Sequence, residues 1–247
     1  MKLNCDLGES FGNWVMGMDA EVMPHIDQAN IACGFHAGDP VVLGKTLDLA
    51  RQHGVSIGAH PSYPDQEGFG RRSMAMSEQE LYDCLHYQIA AVDGMAASKG
   101  LTLDYVKPHG ALYNDMMKNP GIRHTVMRAI SSYHRPLALM LQATPAAADL
   151  LQEASSFKLA LYFEAFTDRR YDDDGALLAR SKPGAVLDKN AMLAQVQQLV
   201  DKGTITTVSG NTLSLQVDTL CVHGDNAEGV ASIAAIADIV KRGGSTA

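Results

Sequence analysis

The sequence predicts a single α/β domain over residues 1–247, built as a barrel of parallel strands with helices outside. Three observations predict it. Short β-like apolar runs alternate with amphipathic stretches along the whole chain. No Pro- or Ser-rich linker interrupts them. Several of the runs end alike, in a glycine and a histidine, as in "NIACGFHAGD", "SIGAHPSYPD", "YVKPHGALYN" and "LCVHGDNAEG". The repetition favours seven or eight βα units, with an open doubly wound sheet as the alternative.

The strand candidates lie near 2–6, 27–34, 55–59, 104–108, 137–142, 159–165 and 218–223. Leu43, Leu47 and Ala50 mark one helix, and Leu81, Leu85, Ile89 and Val92 a second. Met192, Val196, Leu199 and Val200 mark a third. Ser77 with Glu80 reads as a capping box, and Gly54 and Gly100 as helix stops. The stretch "TITTVSGNTLSLQVDT" predicts a small hairpin or an irregular excursion. Polar loops 61–76 and 165–186 read as functional insertions, and Met16 and Met18 near Trp14 as core.

Strand period two sorts each run into an apolar face and a small-or-polar face. Asn4 and Asp6 share one face; so do Asn30, Ala32, Gly34 and His36. Ser56, Gly58 and His60 form another, and Tyr105, Lys107 and His109 a fourth. Tyr162 pairs with Glu164, and Cys221 with His223. In a barrel these faces line the interior, and their last members meet at the C-terminal mouth, where barrel active sites sit. Asp6, His36, His60, Lys107, His109, Glu164 and His223 are therefore expected around one pocket. One such histidine alone reads more simply as a hydrogen-bonded packing residue; four in one phase favour a site.

Composition sets the class. The chain has 247 residues, 46% hydrophobic and 19% charged, with a formal net charge of -8. Acidic balance and the lack of a basic run argue against nucleic acid or an anionic membrane as partner. No stretch reaches membrane-spanning length, and "MKLNCDLGES" has no apolar signal region. Four cysteines without C-x-x-C spacing read as reduced thiols, which suits the cytoplasm. "DPVVLGKT" fails as a phosphate loop because Asp39 stands where the first glycine belongs. A local zinc signature is absent, and no metal ligands are assigned; Asp6, His60 and His109 are the one cross-strand combination that could hold an ion.

The blocks "LNCDLGES", "ANIACGFHAGDP", "GAHPSYPDQEGFGRR", "VKPHGALYN", "EAFTDRRYDDDGALLAR" and "LCVHGD" resemble, in order, the signature blocks of the LamB/YcsF family. The resemblance implies a seven-stranded β/α barrel related to polysaccharide deacetylases. It implies the work of the A subunit of an ATP-dependent 5-oxoprolinase: opening the lactam of 5-oxo-L-proline to L-glutamate while ATP becomes ADP and phosphate. The B and C subunits of that enzyme are the implied partners, and ATP with Mg2+ the implied cosubstrate, held mainly by a partner or a shared interface. With the strand phases, it places Asp6, His36, His60, Lys107, His109, His223 and Asp225 in the catalytic pocket. His109 and Lys107 are expected to move protons at the lactam, each lowering the other's pKa, and Asp225 to orient His223. Asn30, Arg71, Glu164 and Arg169 are the expected substrate contacts, with Arg71 in the "GFGRR" loop folding over the mouth as the carboxylate clamp. Two alternatives remain: a metal-dependent hydrolase of the deacetylase type and a non-catalytic small-molecule-binding subunit.

Overall fold

A computed structural model describes residues 1–224 and 227–244, with side chains left undescribed at 227, 228 and 244. Strand β1 (Lys2–Leu7) is followed by a short helix α1 (Asp19–Val22), β2 (Gln28–Ala32), α2 (Pro40–His53) and β3 (Ser56–His60). Then come α3 (Glu78–Ser98), β4 (Leu103–Val106), α4 (Gly110–Lys118), α5 (Pro120–Ser131), β5 (Ala138–Gln142), α6 (Ala147–Ser156) and β6 (Leu161–Phe166). The chain ends with α7 (Lys189–Lys202), β7 (Thr204–Thr206), β8 (Thr212–Ser214), β9 (Thr219–Val222) and α8 (Ala227–Gly244).

Strands β1 to β6 and β9 pair in parallel and close on themselves, β1 lying between β2 and β9. The barrel has seven strands, as the family resemblance implies, and the open sheet is excluded. The expected excursion is the antiparallel pair β7–β8, which stands apart from the barrel.

Local signals set the helix ends. The Asp39 carboxylate accepts from the N–H groups of Val41 and Val42 at 2.8 and 2.9 Å, with Pro40 in the first turn and Gly54 left-handed at the far end. "DPVVLGKT" is thus a helix cap. Ser77 and Glu80 form the full capping box of α3. The outward strand residues, among them Leu3, Cys5, Ile31, Ile57, Ala59, Val106, Leu139, Phe163 and Leu220, are buried in one core with the apolar helix faces.

The inward residues fill the barrel. Tyr105, Ala138 and Met140 pack together with Tyr162, and Gly58 lacks the Cβ that would strike the Tyr105 ring. The Tyr105 hydroxyl donates to Asn30 Oδ1 at 2.7 Å, Asn30 Nδ2 donates to Asn4 Oδ1 at 2.8 Å, and Asn4 Nδ2 donates to Thr219 at 3.1 Å. A polar plug this well satisfied fixes the register of β1, β2, β4 and β9.

The expectation of core at Met16 is wrong, and Met18 is only half-buried. Trp14 is 75% exposed, Val15 88% and Met16 41%, because Phe11–Trp14 form a tight bridge that projects from the mouth. All four cysteines carry free thiols, and among the described residues no helix is long and apolar enough to cross a membrane.

Candidate functional site

The strand ends deliver their inward residues to one cavity of about 450 Å³ at the C-terminal mouth. Asp6, His60, Lys107, His109 and His223 line it, and Glu9, Phe69, Arg71, Tyr113, Arg169 and Arg180 contribute from the loops. Asp225 lies outside the described residues.

Lys107 sits at the bottom. Its Nζ is 2.8 Å from Asp6 Oδ1, 3.0 Å from Glu164 Oε2, 3.3 Å from Asn4 Oδ1 and 3.5 Å from Cys221 Sγ. Burial opposes its charge, but Asp6, Cys221 and Glu164 outweigh it and hold its pKa well above the ordinary lysine value. The expected lowering of Lys107 by His109 is therefore wrong. Two carboxylates surround the ammonium, and it is an anchored cation. Burial likewise pushes Asp6 up, yet His60 and Lys107 hold its carboxyl well below the usual range.

Three imidazoles cluster above Asp6. His60 Nδ1 donates to the Lys107 carbonyl at 2.6 Å, and His109 Nε2 donates to the Phe69 carbonyl at 2.9 Å. His60 Nε2 and His109 Nδ1 face each other at 3.0 Å, and Asp6 Oδ2 is 3.3 Å from His60 Nε2. His36 stacks face to face on His109, centroids 3.7 Å apart, and its Nε2 is 3.0 Å from Glu9 Oε1. Burial, with the neighbouring imidazoles, lowers the pKa of both His36 and His109 well below the ordinary histidine value. Burial, then Asp6, raises Glu9.

His223 stands apart from that cluster, with Nδ1 3.0 Å from Asp168 Oδ2. Burial opposes its charge, but the bond to Asp168 and that carboxylate's charge raise its pKa. Asp168, against its own burial, is lowered by His223. Asp168 thus holds His223 through Nδ1, while the orienting role expected of Asp225 falls outside the described residues.

The two insertion loops form the rim. The "GFGRR" loop is already docked: Ala111 N–H donates to the Gly70 carbonyl at 2.8 Å, and Phe69, left-handed at φ 53°, packs edge-on against His36 and His109. Arg71 is exposed at the rim with its guanidinium 5.0 Å from the Phe69 ring centroid, while Arg72 is tied to Asp65. Arg169 is buried; its Nη2 donates to the Leu178 carbonyl at 2.6 Å, and its Nε has no hydrogen-bond partner among the described residues.

Not every expected contact reaches the cavity. Asn30 directs its amide to Asn4 and to Asp6 Oδ1, the latter at 2.7 Å, and sits below the floor. Glu164 is fully buried behind Lys107, and His36 lies behind His109. These three support the lining and do not form it. Glu9 was missed because it lies two residues beyond β1 and out of phase with Asn4 and Asp6, whereas Asp168, in phase with Glu164, read only as part of a charged loop; each nonetheless lies inside a quoted family block.

A closed seven-stranded β/α barrel with carboxylates, imidazoles and a lysine gathered at its C-terminal mouth defines an enzyme-like small-molecule barrel. The LamB/YcsF family profile matches residues 1–247 in full, and the chain belongs to that family. It is 54% identical over 232 residues to the 5-oxoprolinase A subunit of Pseudomonas fluorescens (strain Pf0-1), covering 94% of this chain and 93% of that protein. With the 5-oxoprolinase A subunit of Chromohalobacter salexigens it shares 52% identity over 237 residues, 96% of this chain and 95% of that protein. Among solved structures, the lactam utilization protein of Thermus thermophilus superimposes with a TM-score of 0.90 at 34% identity, over 99% of this chain and 97% of that one. A cellobiose-phosphate cleavage protein structure from Enterococcus faecalis, at TM-score 0.57 and 11% identity, shares the fold.

Proposed function

We propose that this chain is the A subunit of an ATP-dependent 5-oxoprolinase and hydrolyses the lactam of 5-oxo-L-proline to L-glutamate. The observation that carries the reading is the division of the cavity. A floor of Asp6, His60, Lys107 and His109 faces a rim bearing Arg71, Arg169 and Arg180. The substrate has the matching halves, a cyclic amide and a carboxylate. Similarity to relatives named as the A subunit of 5-oxoprolinase and to a lactam utilization protein supports the same chemistry.

Ring opening adds water to the lactam carbon, breaks the C–N bond and gives the nitrogen a proton. The Asp6–His60–His109–Glu9 side holds the groups that can orient and deprotonate water. His223, whose charged form Asp168 favours, is placed to give a proton to the leaving nitrogen. Lys107 and the arginines stabilise negative charge on substrate. An unstrained lactam resists water, and ATP hydrolysis supplies the driving force. With no phosphate loop in the sequence, ATP and its Mg2+ are assigned mainly to partners, the B and C subunits, or to a shared interface. The workplace is the cytoplasm, where ATP and reduced thiols occur together.

The test is 5-oxoproline-dependent glutamate release by the chain with its partner subunits. Turnover that disappears on His223→Gln and Asp6→Asn in folded protein supports the reading. Turnover unaffected by both overturns a catalytic role and leaves a binding subunit.

A further inference from the structure

The histidine cluster gathers electron-pair donors that one bound cation would reconcile. A carbonyl oxygen only accepts, so His60 Nδ1 and His109 Nε2 both carry protons, directed to Lys107 O and Phe69 O. In the neutral rings the facing atoms, His60 Nε2 and His109 Nδ1, then present lone pairs to each other at 3.0 Å. Two further electron-pair donors close in. Asp6 Oδ2 lies 3.3 Å from His60 Nε2, and Glu9 Oε1 lies 3.6 Å from His109 Nδ1. A proton on either facing nitrogen would serve two of these contacts and leave the third opposed, whereas one metal ion would serve all three.

We propose that Asp6, Glu9, His60 and His109 bind one divalent first-row transition-metal ion, of the zinc type, at the mouth of the barrel.

The spacing fits. The ligand atoms of Glu9, His60 and His109 all lie within 4.8 Å of one another, and Asp6 Oδ2 adds a fourth beside His60 Nε2; a tetrahedral ion with bonds of about 2.0–2.1 Å has ligand–ligand edges of roughly 3.3–3.4 Å, and three of the six edges here, 3.0, 3.3 and 3.6 Å, bracket that value. The rings of His60 and His109 cross at 87°, so their lone pairs can converge. The outer partners are those that metal ligands need: a carbonyl behind each histidine, with Lys107 and Asn30 on Asp6 Oδ1, leaving Oδ2 free to ligate. His36 is excluded as a fifth ligand because it lies parallel to His109, at 3°, so that their lone pairs point the same way. It positions Glu9 through the 3.0 Å contact instead. A neighbouring group, Asp6, Cys221 and His223, already has a cation, since Lys107 Nζ touches both Asp6 and Cys221. Two imidazoles with two carboxylates select a zinc-like ion over Mg2+ or Ca2+, which prefer oxygen alone. The cavity gives it an open path from solvent.

Coordination is independent of the 5-oxoprolinase reading; only the use of a metal-bound water to attack the lactam rests on it. The full chain, stripped with chelator and dialysed, is titrated with Zn2+ by calorimetry and with Co2+ by visible absorption. One saturable equivalent and a four-coordinate cobalt band are expected. His60→Gln and His109→Gln should each weaken binding by more than about 100-fold, and His36→Ala by about 10–100-fold as a positioning residue. X-ray absorption of the zinc-loaded chain should show a four-coordinate nitrogen/oxygen shell with the outer-shell scattering of two imidazoles and no sulfur, a readout that needs no variant. No saturable binding, binding unchanged in folded variants, or a thiolate or all-oxygen shell overturns the proposal. None of these measurements uses substrate, so the site can fail while 5-oxoproline turnover stands.

Discussion

His109 joins the histidine cluster to the rim loop. It touches His60, lies under His36, and hangs from the Phe69 carbonyl. His109→Ala should lower turnover by about two to four orders of magnitude, the range for an acid–base group. Far-UV circular dichroism should remain native, because the residue faces a cavity. Unchanged turnover in the folded variant removes it from the mechanism. For the carboxylate, the sequence favoured Arg71, but the structure leaves Arg71 exposed and gives Arg169 a buried Nε without a partner among the described residues. A guanidinium out of water makes the stronger charge-assisted bond. Arg169→Lys is therefore expected to raise KM for 5-oxoproline by about tenfold, roughly 1.4 kcal/mol, and to affect 5-oxoprolinamide less. Equal effects on both compounds mean that Arg169 does not read the carboxylate.

At the scale of elements, the rim loop is held by backbone that tolerates no Cβ. A Cβ on Gly70, left-handed at φ 64°, would lie 2.8 Å from His109 Cδ2 and 2.9 Å from His36 Cβ. Gly70→Ala thus combines backbone strain with a push on two imidazoles, and about 1–3 kcal/mol of destabilisation is expected in chemical denaturation, together with loss of turnover. Wild-type stability would show that the loop is not docked as described. The pair between β6 and β9 gives a pH test. His223 has a raised folded pKa, so its contribution is full below the unfolded value of about 6.5 and fades as pH rises through the folded one. Asp168 is lowered, so its contribution is full above about 3.9 and fades as pH falls through the folded value. Asp168→Asn should therefore lower Tm more at about pH 5.5 than at about pH 9; a deficit equal at both shows that the pair adds nothing. Element periodicity also explains what could be read in advance. Asp6, His60, Lys107, His109 and His223 continue their strands in phase and arrive where period two puts them. His36 arrives differently, since β2 stops at Ala32 and the chain turns through Gly34, whose N–H donates to the Ala37 carbonyl. Asn30 and Glu164 are in phase but too far down their strands, and phase says nothing of depth.

For the whole molecule, alternation established the α/β class and the family blocks the strand number, because closure depends on tilt and stagger that no single strand encodes. The same view separates what this chain holds from what it lacks. Its mouth is furnished for a small anionic lactam, with acid, base and cationic groups around about 450 Å³. Its near-match to a phosphate loop is the N-terminal cap of α2, where the Asp39 carboxylate occupies the backbone N–H groups of Val41 and Val42 that a phosphate would need. A second carboxylate oxygen of Asp39 accepts from Gly12, so a phosphate there would meet an anion already in place. The proposed function therefore assigns ATP coupling to the partner subunits. The isolated chain is expected to release negligible glutamate from 5-oxoproline with ATP and Mg2+, and addition of the partner subunits should restore turnover with one ADP per glutamate. Full turnover by the purified chain alone would place a nucleotide site within it and overturn this division of labour.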